Sequence, residues 1–149
     1  MELYHVKTLE DPLISVVKDD PVRPHIPLER RVNSVNEILV LREGERILAA
    51  TCLAWLSDVP QDESDLERLP AATDVAVFYT IWSYSPGAGA ELLRKAADWI
   101  RQEHKQARAI VTLSPQTEMA RRFHLKNGAR IRRENPTSVN YEYWCRDPI

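Results

Sequence analysis

The chain has 149 residues and a mass of 17.2 kDa, the length of one ordinary domain. Hydrophobic residues make up 44% and charged residues 28%, which excludes wholesale disorder. With 20 basic and 22 acidic side chains the net charge is -2; this excludes a globally basic nucleic-acid binder but not a local basic patch. The two cysteines, Cys52 and Cys145, form no C-x-x-C pair, which rules out a cysteine-built zinc module and argues against a disulfide framework. No signal-peptide pattern opens the sequence and no apolar run reaches the roughly 20 residues of a spanning helix, so the expectation is a reduced, cytoplasmic protein away from the membrane.

Leu3, His5 and Lys7 alternate with Tyr4 and Val6, which predicts a first strand. Asp11-Pro12 then opens a short helix, with Asp11 as cap and Pro12 in the first turn. Pro21, Pro24 and Pro27 exclude a regular helix or central strand over 21–32, leaving an ordered loop with one helical turn near Leu28–Arg31. Residues 37–42 and 46–56 read as a hairpin turning at Glu43-Gly44-Glu45. The acidic stretch 57–74 has one basic residue, Arg68; it reads as a solvated loop with a helical turn, or as a lip that attracts a cationic substrate.

Residues 74–82 are apolar without clean alternation, as expected of a strand covered on both faces. After Ser83–Ala90 a helix is predicted, with Leu92, Leu93, Ala96, Trp99 and Ile100 on its apolar face. Residues 109–113 form another short strand, and Ser114-Pro115 is expected to cap and start a helix ending at Gly128. Two alternating strands, 129–133 and 139–145, close the chain around the Asn135–Ser138 turn. The expected fold is a single α/β domain, 1–149: a mixed, mostly antiparallel sheet whose central strand–helix–strand unit pairs in parallel.

The junction Gly87-Ala88-Gly89-Ala90 leads from a strand into a helix. A helix N-terminus there offers unpaired N–H groups and a partial positive charge, and glycine lets a phosphate reach the backbone. Alone, the spacing is equally that of a tight turn. Walker A, G-x-S-x-G and H-E-x-x-H are absent.

The segment Tyr84–Leu93 resembles motif A of the GNAT superfamily, the acyl-CoA-dependent N-acyltransferases, and Ala120–Ala129 resembles its motif B. The likeness is carried by 74–134 and matches the expected element order elsewhere. It implies a parallel strand pair splayed around acetyl-CoA or another acyl-CoA. The pantetheine arm would pair with the 74–82 strand around Tyr79 and Ile81. The pyrophosphate would lie on Gly87, Ala88, Gly89 and Ala90, beside Tyr84, Ser85, Thr117 and Phe123.

By that resemblance the chain is an N-acyltransferase, moving an acyl group to the amine of a small molecule or protein without a metal. His124 would be a general acid for the leaving thiolate, or a structural side chain, and Asp74 a candidate base. Four positions depart from the pattern. Tyr84 replaces Arg or Gln, Pro86 removes an amide, Thr117 replaces Asn, and His124 stands where a tyrosine often acts as acid. They point to an alternative, a catalytically inactive fold used for binding or assembly. Arg121, Arg122, Lys126, Arg130, Arg132 and Arg133 form a basic cluster read as a solvated helix face and strand edge, with contact to the cofactor's ribose phosphate or to nucleic acid as alternatives. The acceptor, the acyl chain and the oligomeric state, a homodimer among the options, stay open.

Overall fold

The computed structural model describes residues 1–146. Its strands are β1 (Glu2–Val6), β2 (Glu37–Glu43), β3 (Arg46–Leu56), β4 (Val75–Ser83), β5 (Ala109–Thr112), β6 (Arg130–Glu134) and β7 (Val139–Cys145). The helices are a 3-10 helix (Pro12–Asp19), α1 (Leu28–Arg31), α2 (Asp65–Arg68), α3 (Ala88–Glu103) and α4 (Glu118–Lys126). One sheet runs β1-β2-β3-β4-β5-β7-β6; β4 and β5 are parallel and every other pair is antiparallel. This is the mixed fold class the sequence implied. No helix of the described residues is long and apolar enough to cross a membrane.

Both faces of the sheet are covered, which explains the missing alternation in β4. Val75, Val77 and Tyr79 pack under the 3-10 helix and the 21–32 loop, with Val16, Ile26 and Val32. Ala76 and Phe78 pack against Leu92, Leu93, Ala96 and Ile100 of α3. Asp11 accepts from the Leu13 amide at 2.9 Å, so the predicted cap and the Pro12 start both hold. The predicted turn at Leu28–Arg31 is α1.

The acidic stretch is engaged rather than free. Glu63 lies 2.6 Å from His25 Nε2, Glu67 pairs with Arg30 at 2.5 Å, and Asp65 with Arg68 at 2.7 Å. The basic cluster is likewise divided: Arg130 and Arg132 both grip the buried Glu142, and Arg133 donates to the Val59 carbonyl at 3.1 Å.

The start of α4 differs from the sequence reading. Ser114 does not cap α4: its amide and carbonyl exchange 2.9 Å bonds with Val139, which prolongs the strand. The cap is Thr117, whose hydroxyl oxygen accepts from the Ala120 amide at 3.1 Å. Ser114 is thereby left facing the interior, 3.2 Å from His124.

Candidate active site in the gap between two parallel strands

The site begins with an irregularity. Cys52 pairs with Thr80 and Leu53 with Phe78, so Tyr79 is an extra residue in β4 without a partner on β3. On its other side β4 pairs with β5 only from Val75 to Phe78, and the last contact is the Leu113 amide donating to the Phe78 carbonyl at 3.1 Å. Beyond it Ser114 turns to Val139, and the strands part.

The gap is a cavity of about 460 Å³, within the range of small-ligand sites. It is lined from both faces: by Gly89, Leu93, Phe123 and His124 on the side of α3 and α4, and by Pro21 and Val22 on the other. Most of the wall is apolar. Among the described residues it carries no carboxylate, ammonium or guanidinium.

His124 is the residue with chemistry. It is 4% exposed, on the inner side of α4 and stacked on Tyr141 with ring centroids 4.7 Å apart. Its Nδ1 lies 2.7 Å from the Tyr143 hydroxyl and its Nε2 3.2 Å from Ser114 Oγ. The Ser114 hydroxyl donates to Thr112 Oγ1 at 2.7 Å. With that hydrogen committed, Nε2 carries the imidazole hydrogen toward Ser114 and Nδ1 accepts from Tyr143. Burial lowers the imidazole to a pKa of about 4 and pushes the Tyr143 phenol above its ordinary range. At neutral pH the ring is therefore uncharged. It is a hydrogen-bond donor rather than the proton-rich acid expected for a leaving thiolate.

Gly89 holds the mouth of the cavity. A Cβ built there would come within 3.4 Å of Phe123 Cζ and 3.9 Å of Ile81 Cδ1, so this glycine permits close packing of α3, β4 and α4. Gly87, with φ of 79°, supplies the left-handed turn before α3. The Ala88 amide closes that turn on the Ser85 carbonyl at 3.1 Å, while the first helical bond runs from Glu91 to Gly87. The amides of Gly89 and Ala90 fall between them and meet no acceptor among the described residues.

Tyr79, Ile81, Gly89, Thr117, Phe123 and His124 thus come together around one cavity. Ser85 and Gly87 lie in the adjoining turn, and Ala88 and Ala90 in the first turn of α3. Two expected residues lie elsewhere. Asp74 precedes β4 at the end remote from the gap, where its carbonyl takes the Arg108 amide at 2.7 Å. The Tyr84 hydroxyl donates to Asp19 at 2.7 Å and accepts from the Trp82 indole at 3.0 Å, so it faces a carboxylate rather than an anion site. Sequence reasoning missed Ser114 and Thr112. Alternation put Tyr143 on the last strand, and nothing local shows which strand faces α4.

No family model matches the chain, and no curated protein matches it in sequence. Solved structures do. Malonyl-CoA decarboxylase from Agrobacterium vitis is similar with a TM-score of 0.78 at 17% identity, over 95% of this chain and 60% of that one. The GphF GNAT-like decarboxylase in complex with isobutyryl-CoA gives 0.71 at 15%, over 95% and 98%. A GNAT family acetyltransferase from Elizabethkingia anophelis with acetyl-CoA bound gives 0.60 at 12%, over 95% and 94%. The chain spans about 60% of the length of the malonyl-CoA decarboxylases it matches. At these identities the likeness establishes the fold, and the fold is GNAT-like.

Proposed function

We propose that this chain binds an acyl-CoA in the gap between β4 and β5 and decarboxylates a β-carboxyacyl thioester such as malonyl-CoA. The observation that carries the reading is His124: a buried, neutral imidazole bonded to a cavity hydroxyl, in a wall without charged groups. Decarboxylation breaks the bond between the α-carbon and the carboxylate. Carbon dioxide leaves, the electron pair becomes a thioester enolate, and one proton from water ends on the α-carbon.

The protein has two tasks. It must stabilise the enolate oxygen with an uncharged donor. Ser114 supplies one when its hydroxyl hydrogen turns from Thr112 to the enolate oxygen; the His124 Nε2–H then backs the Ser114 oxygen, and Tyr143 holds the ring in that tautomer. It must also surround the carboxylate with apolar wall, which favours its loss as a neutral gas. The CoA would enter past Gly89, with its diphosphate at the free amides of Gly89 and Ala90.

N-acyl transfer is the second reading, favoured by likeness to the acetyltransferase over nearly its whole length. Against it, the cavity offers no group that would take a proton from an ammonium acceptor, and the face opposite α3 is occupied by Pro21 and Val22. Both decarboxylases named above also superpose more closely.

The test is direct. Purified protein is given malonyl-CoA, and separately acetyl-CoA with a panel of amines, while acyl-CoA species, carbon dioxide and free thiol are followed. Conversion of malonyl-CoA to acetyl-CoA without thiol release is expected, with His124→Ala slower by about 100-fold or more. Amine-dependent thiol release without decarboxylation would give the site to the second reading. No turnover of either kind would return the protein to a binding role.

A further inference from the structure

The segment Asp19–Arg23 crosses β4 on the face opposite α3 and is tied to it residue after residue. Arg23 Nη1 donates to the carbonyl of Tyr79, the residue that the bulge leaves without a partner on β3. The Thr80 hydroxyl donates to Asp20 Oδ1 at 2.7 Å. The Tyr84 hydroxyl donates to Asp19 at 2.7 Å. The turn itself is folded around the Asp20 carboxylate, which accepts from the amides of Val22 and Arg23 at 2.8 and 2.9 Å and from the Arg31 guanidinium at 2.8 Å. Between these ties Pro21 and Val22 form the cavity wall.

Resting on the acyl-CoA reading above, we propose that Val22, held by Asp20, is the specificity-determining residue for the acyl chain. A thioester beside Ser114 and His124, with its pantetheine arm leaving past Gly89, has one direction left for its acyl substituents. They pass between β4 and β5 to the opposite face, where Pro21 and Val22 close the way. Valine is branched at Cβ and stiff, and the strap behind it is fixed by buried polar bonds, so the wall does not yield to a longer chain. Each methylene admitted to an apolar pocket changes affinity by roughly 4-fold, so trimming one side chain there reorders acyl preference.

Titration calorimetry of CoA, acetyl-CoA, butyryl-CoA and hexanoyl-CoA on the wild type, Val22→Ala and Val22→Phe tests this without requiring turnover. In Val22→Ala the affinity ratio of butyryl-CoA or hexanoyl-CoA to acetyl-CoA should rise by about 10-fold. In Val22→Phe it should fall, and affinity for CoA itself should be the same in all three. Ratios that stay constant while CoA binds overturn the role of Val22 and leave the acyl-CoA reading intact. Failure of the wild type to bind any CoA species overturns both. Should Val22→Phe not fold, Val22→Ala alone decides.

Discussion

The imidazole of His124 bridges two hydroxyl groups: Tyr143 lies 2.7 Å from Nδ1 and Ser114 lies 3.2 Å from Nε2. Tyr143 thereby fixes which ring nitrogen carries the hydrogen. In Tyr143→Phe the Nδ1 atom loses its donor while still buried, which costs about 1–3 kcal/mol of stability and frees the other tautomer. We expect malonyl-CoA turnover to fall by about 10-fold, equivalent to roughly 1.4 kcal/mol, with KM nearly constant. Nitrogen NMR of the ring should show a single tautomer in the wild type and a mixture in the variant. A single, unchanged tautomer would leave Tyr143 a packing residue.

His124 also makes a statement about pH. Burial lowers its folded-state pKa from 6.5 to about 4, so between those values the unfolded chain binds a proton that the folded chain does not. Stability must therefore rise with pH across that window, and acidification from pH 6.5 to 4 withdraws it. The shift corresponds to about 3 kcal/mol. Urea unfolding at pH 7, 6, 5 and 4.5 should show a steeper loss in the wild type than in His124→Gln, the carboxylates being common to both. Parallel losses would mean that the ring is solvated.

The fold could be read from the sequence because its signals are local. Asp11-Pro12, Gly44 and the stop at Gly128 each act within a few residues and lie at element edges, and the stripe Leu92–Ile100 runs along the middle of α3. The site was half legible. Gly89, Phe123 and His124 lie on elements recognisable by pattern, whereas Asp74, a candidate by its place in sequence, precedes its strand at the end remote from the gap. By sequence alone Ser114 reads as a helix cap because Ser-Pro often is one. Its pairing with Val139, 25 residues away, overrides that local preference. The Asp20 network was also invisible, since it joins residues as distant as Asp20 and Thr80.

That network is a buried ion pair with side-chain exposures of 1% for Arg31 and 0% for Asp20. Burial by itself pushes the Asp20 carboxyl up. Bonds from the Arg23 amide, Arg31, Thr80 and the Val22 amide outweigh it and hold the group below the usual carboxylate range. Asp20→Ala removes the acceptor for all four and strands a buried guanidinium, a loss of about 3–5 kcal/mol. Asp20→Asn keeps one acceptor oxygen and should lose less. Chemical denaturation of both, against exposed Glu43→Ala as a control within about 0.5 kcal/mol of wild type, checks the order. Equal values for Asp20→Ala and the control would remove the pair from the stability of the strap.

Two glycines at the N-terminus of α3 bear on folding and on binding. Gly87 has φ of 79° with open space around it, so Gly87→Ala brings no clash but holds an L side chain in a left-handed turn, at a cost of roughly 1 kcal/mol. Gly89 is helical and buried, and a side chain there points at Phe123 and Ile81, 3.4 and 3.9 Å from its Cβ. A glutamate would carry its charge into that packing, so Gly89→Glu should be less stable than wild type by about 1–3 kcal/mol. Its carboxylate would also repel a diphosphate at the start of α3, so CoA binding should fall by 100-fold or more, measured by calorimetry under conditions where the variant is folded. If folded Gly89→Glu binds CoA as the wild type does, the diphosphate does not rest on the amides of Gly89 and Ala90, and the entry of CoA past Gly89 must be redrawn.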